Sequence, residues 1–360
     1  MRIHFIGDDS GCDSIAVQHA CAMADAGAGV SAESADEPRS WRARCREFDA
    51  LHVTFSLARD YSLLRRVRTA RSAGAAVVRY WAGLDVLWAS AHPPTRRVGR
   101  AMAELGVAQW APNEAVAAAL ERLGVRADVV PPADPHVSAD AEPRAFPRDF
   151  TLLARLPAEL RELYGGGIVD ELIARMPGVR FLVLGDDPRR YAKYAHVEVL
   201  TAADDVLRTL TRCTALLEVK RFPSAHRLAL EAMSLGRHVI GTAALPHVRR
   251  ADSAEGLAAA VSLLRRDPHF HLEGREYVAR HHDARLCARA MLDRLQQMLD
   301  PGRGALAMRG NAAGARLALA MPSIFSRRPI PPPTPESVQS ADPLVRLLVE
   351  SVDVPAAVTA

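Results

Sequence analysis

Lysine is the scarcest of the side chains that could do chemistry here: Lys193 and Lys220 are the only two among 46 basic residues, the rest being arginine. No Gly-Lys-Ser/Thr phosphate loop exists, and Schiff-base or lysine-nucleophile chemistry could use only those two positions. The run Gly7-Asp8-Asp9-Ser10-Gly11 follows an apolar segment and would bring backbone amides close to a ligand. It is not a dinucleotide fingerprint, because its two carboxylates would repel a pyrophosphate. A hydroxyl-rich acceptor fits it better than NAD, and a plain strand-to-helix turn fits it equally well. His281-His282-Asp283 has metal-ligating types, but neighbours on a helix point about 100° apart and rarely converge on one ion. No metal site is expected. Five cysteines, odd in number and without a CxxC pair, support neither a disulfide framework nor a zinc knuckle.

Composition narrows the partners. A formal charge of +4 over 360 residues, with acids and bases interspersed, gives no basic stripe. With aromatics at 5%, nucleic acid is not an expected partner. The segment MRIHFIG enters a strand directly, without signal-peptide architecture. No apolar run approaches the roughly 20 residues that span a bilayer. The expected location is cytoplasmic. Hydrophobic content of 49% suffices for real cores, and the length suggests two domains.

Any site must be positioned by strands and helices that alternate along most of the chain. Strands are expected over Arg2–Ile6, Ala50–Phe55, Ala75–Tyr80, Val107–Trp110 and Ala127–Val130, with helices over Ser14–Ala26 and Asn113–Leu123. A polar, proline-bearing stretch then leads to a second series: FTLLARL, VRFLVLGDD, ALLEV and RHVIGT as strands, with RLALEAMSLG as a helix closed by Gly236. Alternation of this kind implies parallel sheets with helices on both faces. The expected fold is α/β, two tandem Rossmann-like domains: residues 1–136, a linker over 137–148, a second domain over 149–300, and a Pro/Gly-rich tail over 301–360. The tail cannot bury a core of its own and reads as largely disordered. Its last stretch, LVRLLVESV, has the pattern of a short helix, and ARLALAMPSIFSRR has the composition of a weak peripheral membrane contact. Ligands of open parallel sheets sit beyond the carboxyl ends of the strands, so the cleft between two such domains is the natural site.

Three stretches carry a resemblance. Tyr80-Trp81-Ala82-Gly83-Leu84-Asp85-Val86, TLLARLPAELRELYGGGIVDELIARMPGVRFLVLGDD and LALEAMSLGRHVIGT resemble segments of the retaining GT-B glycosyltransferases of the family 4 type. The layout is similar over about residues 1–300. The resemblance implies a two-domain, metal-independent enzyme without a cofactor. It would move a sugar from a nucleotide-diphosphate donor to a glycan or small-molecule acceptor, in glycan or envelope polysaccharide synthesis at the cytoplasmic face of the inner membrane. It implies that Glu231 holds the donor ribose and that Arg155 neutralises the leaving diphosphate, with Arg161 or Lys220 assisting. Gly185, Asp186 and Asp187 would line the nucleotide pocket, while Ser224 and His226 would lie in the donor loop. Ser10, His52 and Asp85 would face the acceptor, His52 and Asp85 beside the reacting sugar. Two positions depart from the family pattern. Pro223 stands where an acid normally precedes the ribose glutamate by eight residues, and Leu160 stands where a phosphate lysine is expected. These departures leave open a catalytically weak or inactive homologue that binds nucleotide or glycan and serves in assembly. An unrelated two-domain α/β enzyme, such as a sugar-nucleotide epimerase, is a third reading.

Overall fold

A computed structural model describes residues 1–7, 15–34, 41–54, 60–140, 142–201 and 206–300. Ser10 and the tail beyond residue 300 lie outside the described residues. The first half runs β1 (Arg2–Gly7), α1 (Ile15–Asp25), β2 (Gly29–Ser34), α2 (Trp41–Arg44), β3 (Ala50–Val53), α3 (Asp60–Ser72), β4 (Ala76–Tyr80), α4 (Leu84–Ala91), α5 (Pro93–Glu104), β5 (Ala108–Ala111), α6 (Glu114–Arg122) and β6 (Asp128–Val129). The second half runs β7 (Thr151–Arg155), a 3-10 segment (Ala158–Tyr164), α7 (Gly166–Arg175), β8 (Arg180–Leu184), β9 (Val197–Leu200), α8 (Val206–Thr211), β10 (Ala215–Glu218), α9 (Arg227–Ser234), β11 (His238–Gly241), β12 (Arg249–Arg250), α10 (Ala254–Arg266), α11 (Leu272–His281) and α12 (Ala284–Leu299).

Each half builds a six-stranded, wholly parallel sheet, ordered β2-β1-β3-β4-β5-β6 and β12-β11-β10-β7-β8-β9. The central strands are apolar on both faces because helices cover both. Ile3 and Phe5 of β1 face a core with α1, whereas Ile6 of β1 and Leu51 and Val53 of β3 face another with α3 and α5. The strands that the sequence did not disclose, β2, β9 and β12, are all at or next to a sheet edge. β2 reads GVSAES and β9 reads VEVL. Half-exposed edge strands need no continuous apolar run, so they carry little signal. Helix starts are set by side-chain caps: Asn113 accepts the Val116 amide at 3.0 Å, and Asp283 accepts those of Arg285 and Leu286.

The two halves are not laid end to end. Cys287, Ala288, Met291 and Leu295 of α12 recur at helical spacing and pack on Ile3, Phe5, Met23 and Tyr80 of the first half. The second domain expected over 149–300 is therefore continuous in sequence only, since its last helix completes the first core. The chain crosses between halves twice, and the crossings are bonded together: the Ala139 amide donates to Asp283 Oδ2 at 2.9 Å and the Ala284 amide to the Val137 carbonyl at 2.9 Å. His282 meanwhile meets the Tyr277 hydroxyl at 3.1 Å, so the His281-His282-Asp283 side chains do not share a target. No helix among the described residues is long and apolar enough to cross a membrane.

If α12 is part of the first core, Met291→Ala should cost about 2–5 kcal/mol, the usual range for emptying a buried methionine site. Denaturant unfolding measures this, and a loss below about 1 kcal/mol would show that the helix only rests on that domain.

Candidate functional site

The carboxyl ends of both sheets meet at one junction, and glycine decides how closely. Gly83, at φ 113°, ends the β4 loop, and a Cβ there would collide with the Pro223 carbonyl oxygen and Ser224 Cα of the second half. Only glycine adopts that φ without strain and leaves room for the approach. The contact is fastened by the Ala225 amide donating to the Ala82 carbonyl at 3.1 Å, and by Asn113 Nδ2 donating to the Ser224 carbonyl at 2.7 Å. Beside it, Leu84 and Leu87 of α4 pack against Leu160, Leu163, Tyr164 and Phe222. The position where the resemblance expects a phosphate lysine is thus part of an apolar seam between the halves.

Asp85 organises the first-half side of this junction. It is fully buried and accepts the amides of Ala82 at 3.0 Å, Gly83 at 2.8 Å and Val86 at 3.0 Å. Burial pushes its carboxyl up, against those three bonds and the nearby Arg79. A carboxylate so occupied shapes the Gly83 turn and does not reach an acceptor. His52 is likewise inside the first domain. It stacks on Phe5 at 4.8 Å and lies 3.4 Å from His19, and burial lowers its imidazole to about 3. The expected place for it at the cleft edge is not where the fold puts it, because β3 is covered on both faces.

On the second-half side, the expected donor residues divide into two groups. Arg155 is exposed at the end of β7, and with Pro157, Leu184, Gly185 and Val206 it lines a cavity of about 200 Å³. Gly185 holds φ 92°, which lets the chain turn away from β8 beside that cavity. Arg161 and Asp186, by contrast, consume one another. Arg161 is buried, donates to Asp186 Oδ2 at 2.8 Å and pairs with Asp170, while Tyr191 also donates to Asp186 at 2.7 Å. Burial alone would lower the guanidinium, but Tyr191 and the two acids hold it above its ordinary value. Its charge is neutralised within the domain, so the anticipated replacement of the missing lysine by Arg161 has no free cation behind it.

Lys220, Ser224 and His226 do come together, on a residue that the motif reading passed over. Glu218 ends β10, and its Oε1 takes Lys220 Nζ at 3.1 Å and His226 Nδ1 at 2.8 Å. Ser224 Oγ lies 3.4 Å from Lys220 Nζ and 3.4 Å from His226 Nδ1. His226 has φ 50° and ψ 28°, a left-handed conformation in a non-glycine residue at the start of α9. The sequence signal for Glu218 was present: an acid closes the apolar run ALLEV at a strand end, where a carboxylate must face the crevice.

Glu231 lies one helical turn further along α9 and is 1% exposed. Arg227 Nε donates to its Oε1 at 2.7 Å and sits 2.9 Å from Asp134 Oδ2, which comes from the first crossing. With its amide oxygen turned toward the guanidinium, Gln18 of α1 accepts Arg227 Nη1 at 2.7 Å. One arginine thus joins α9, the crossing and α1. Burial pushes the Glu231 carboxyl up and Asp134 adds to this, while Arg227 opposes. The four-residue spacing of Arg227 and Glu231 was legible as a helical pair. The involvement of Asp134 and Gln18 was not, since it depends on how the halves dock.

The sequence matches no family model and no curated sequence. Solved structures do match, three of them over nearly their whole length. HepE of Anabaena in complex with UDP-glucose superposes with a TM-score of 0.63 at 12% identity, covering 82% of this chain and 100% of that one. A sucrose-phosphate synthase from Thermosynechococcus elongatus gives 0.63 at 14%, covering 83% and 99%. AviGT4, a glycosyltransferase of avilamycin A biosynthesis, gives 0.52 at 13%, covering 83% and 98%. The chain has the two-domain GT-B fold. At this level of identity the likeness establishes the fold alone.

Arg227→Met should cost about 3–5 kcal/mol near neutral pH, because two buried carboxylates lose their shared cation. The Glu231 carboxyl, already pushed up by burial, would be raised further in the folded state, which then binds a proton that the unfolded chain has already released. Stability should therefore recover as pH falls toward the ordinary carboxylate range of about 4. Denaturant unfolding at several pH values checks this, and a pH-independent loss would contradict it. Gly83→Ala should lower the melting temperature and expand the molecule in small-angle scattering. An unchanged radius of gyration would mean that the junction does not depend on this glycine.

Proposed function

We propose that the protein is a glycosyltransferase that moves a sugar from a nucleotide-diphosphate donor to a hydroxyl of a glycan or small-molecule acceptor, with retention at the anomeric carbon. The observation that carries this reading is the seating of Glu231. It lies in the first turns of α9, at the carboxyl edge of the second sheet and against the interdomain junction. A carboxylate there can accept the paired hydroxyls of a ribose, each charge-assisted bond contributing about 1.5–3 kcal/mol when desolvated. Its Oε1 already holds Arg227, so ribose binding requires Arg227 to share or release that oxygen.

The remaining parts follow the donor outward. The cavity beside Arg155 and Gly185 takes the nucleotide base, and Arg155 is free to face the diphosphate as it leaves. Cations fixed where charge grows lower the barrier to departure more than the ground state. Closing the halves about Gly83 keeps water from the activated donor. The retaining outcome rests on the resemblance of the Gly83–Asp85 and Glu231 stretches, and the structural neighbours that bind UDP-glucose are consistent with this donor class. The site of action in this reading is the cytoplasmic face of a membrane, where glycan acceptors are assembled.

A second reading is favoured by a specific observation. Leu160 and Pro223 are both pressed into the contact between the halves, which suits a homologue that binds without turnover. One experiment separates the two. Thermal shift with UDP-, GDP- and ADP-sugars should raise the melting temperature of the wild type for one of them, and Glu231→Ala should abolish that increment relative to its own baseline. Donor hydrolysis or transfer with the same sugar is expected of the enzyme; stabilisation without turnover supports the binding module. No stabilisation by any nucleotide sugar would sink both.

A further inference from the structure

Glu218 is unassigned in the donor reading, yet Lys220 and His226 of the expected donor loop are both arranged around it. It is 4% exposed. Burial pushes its carboxyl up, but the Lys220 ammonium and the His226 ring overcome this and hold it down to about 2. An ionised carboxylate can only accept hydrogen bonds, so its 2.8 Å contact fixes a proton on His226 Nδ1. Nε2, the other ring nitrogen, makes no hydrogen bond among the described residues. Lys220 Nζ has three donors, of which Glu218 and Ser224 account for two. One Lys220 donor is thus unspent, as is His226 Nε2, which donates to a phosphate when the ring carries both protons, and both side chains are aimed by the same carboxylate.

The location matters as much as the charge. Lys220 Nζ sits 5.6 Å from the centroid of the Tyr164 ring, and Tyr164 packs on Phe222 at 5.5 Å within the apolar seam that holds Leu160. Where the expected lysine has become a leucine, an ammonium arrives instead from the end of the adjacent strand β10. His226 reaches the same point from α9 by accepting a left-handed backbone, which an L-residue keeps only when its surroundings enforce it. A glycine would satisfy the turn without strain. The imidazole is retained at a backbone position that disfavours it.

We propose that Lys220 and His226 bind the diphosphate of the nucleotide donor, and that Glu218 is the positioning residue that braces both. This rests on the nucleotide-sugar reading above: it chooses Lys220 over Arg161 as the assisting cation, gives His226 of the donor loop a phosphate contact, and adds Glu218, which that reading left unassigned. Because Glu218 spends one oxygen on both partners, losing it should scatter both side chains, whereas losing either partner should leave the other in place.

Calorimetric titration with UDP, GDP and ADP, each against its monophosphate, tests the assignment. Lys220→Met and His226→Gly should each weaken diphosphate binding about tenfold or more, as for a lost charge-assisted bond, with little change for the monophosphate. His226→Gly relieves the strained backbone but removes a partner of buried Glu218, so its unfolding transition without nucleotide is measured alongside, and a cooperative transition like that of the wild type shows that the weaker binding is not misfolding. Glu218→Gln should lose the preference for diphosphate over monophosphate, and Glu218→Asp should restore part of it, a rescue that a merely structural role would not give. If the wild type prefers a diphosphate and Lys220→Met and His226→Gly bind it as tightly, this assignment is overturned while the donor reading stands. If the wild type binds no nucleotide, the donor reading falls and takes this one with it.

Discussion

The close approach of Gly83 to the Pro223–Ser224 backbone is the constraint on which the junction depends. It sets the distance between the halves, since any side chain at Gly83 would strike the facing main chain. It fixes the loop before α9, because Ala225 and Ser224 are bonded to Ala82 and Asn113 across the gap. That loop in turn sets the left-handed turn at His226, hence the direction of α9, hence the place of Glu231. Asp85 works one step upstream by spending its whole carboxylate on the amides that form the Gly83 turn. Its value is geometric. A buried acid with three backbone donors is a reliable way to hold a turn that would otherwise be one of several.

Charge at the junction is arranged for specificity more than for stability. Glu218, Glu231 and Asp134 are all nearly inaccessible, and each is matched by a cation: Glu218 by Lys220 at the same strand end, Glu231 by Arg227 of its own helix, and Asp134 by that same Arg227 from across the junction. A buried ion pair rarely stabilises more than an apolar pair of the same volume, because desolvation offsets the attraction. What it does is penalise any docking that separates the partners. Arg227 touches α1, the first crossing and α9 at once, so a halves-apart arrangement would leave two carboxylates buried without it. The apolar seam of Leu84, Leu87, Leu160 and Phe222 supplies the non-directional part of the attachment, and the arginine selects its register.

Much of the architecture was legible in the sequence, for a physical reason. Strands buried on both faces must be apolar throughout, so β1, β3, β4, β7, β8, β10 and β11 announce themselves. Edge strands escape that requirement, which hid β2, β9 and β12. The site was legible only where a residue's role is local. The helix that carries Glu231 and the positive-φ turn at Gly185 follow from neighbours in the chain. His52 and Arg161 were misplaced because their surroundings come from distant segments: β3 is covered by α1 and α12 on one face and by α3 and α5 on the other, and Arg161 meets Asp186 and Asp170 from later in the chain. The return of α12 to the first core is of the same kind. Its amphipathic spacing says that one face is buried, and nothing in that spacing says against what.

The two departures from the family pattern are better understood together than singly. Set beside the pattern that the resemblance implies, Pro223 and Leu160 omit one charge of each sign, which leaves the net charge of the junction the same. Both positions then become contacts between the halves: Leu160 in the apolar seam, Pro223 against Gly83. Had only the lysine been lost, an acid at position 223 would face the junction with no cation supplied from position 160. Had only the acid been lost, a lysine would intrude on Leu84 and Leu87. Glu218 and Lys220 provide a pair of the same two charges from the end of β10, outside the close contact. In a chain with two lysines, one of them pairs with a buried carboxylate beside the seam where position 160 has become apolar. Arginine is abundant in this sequence and would serve a surface role equally well. The compact ammonium of lysine, with donors in three directions, meets Glu218 and Ser224 at once in a space that a planar guanidinium would fill differently.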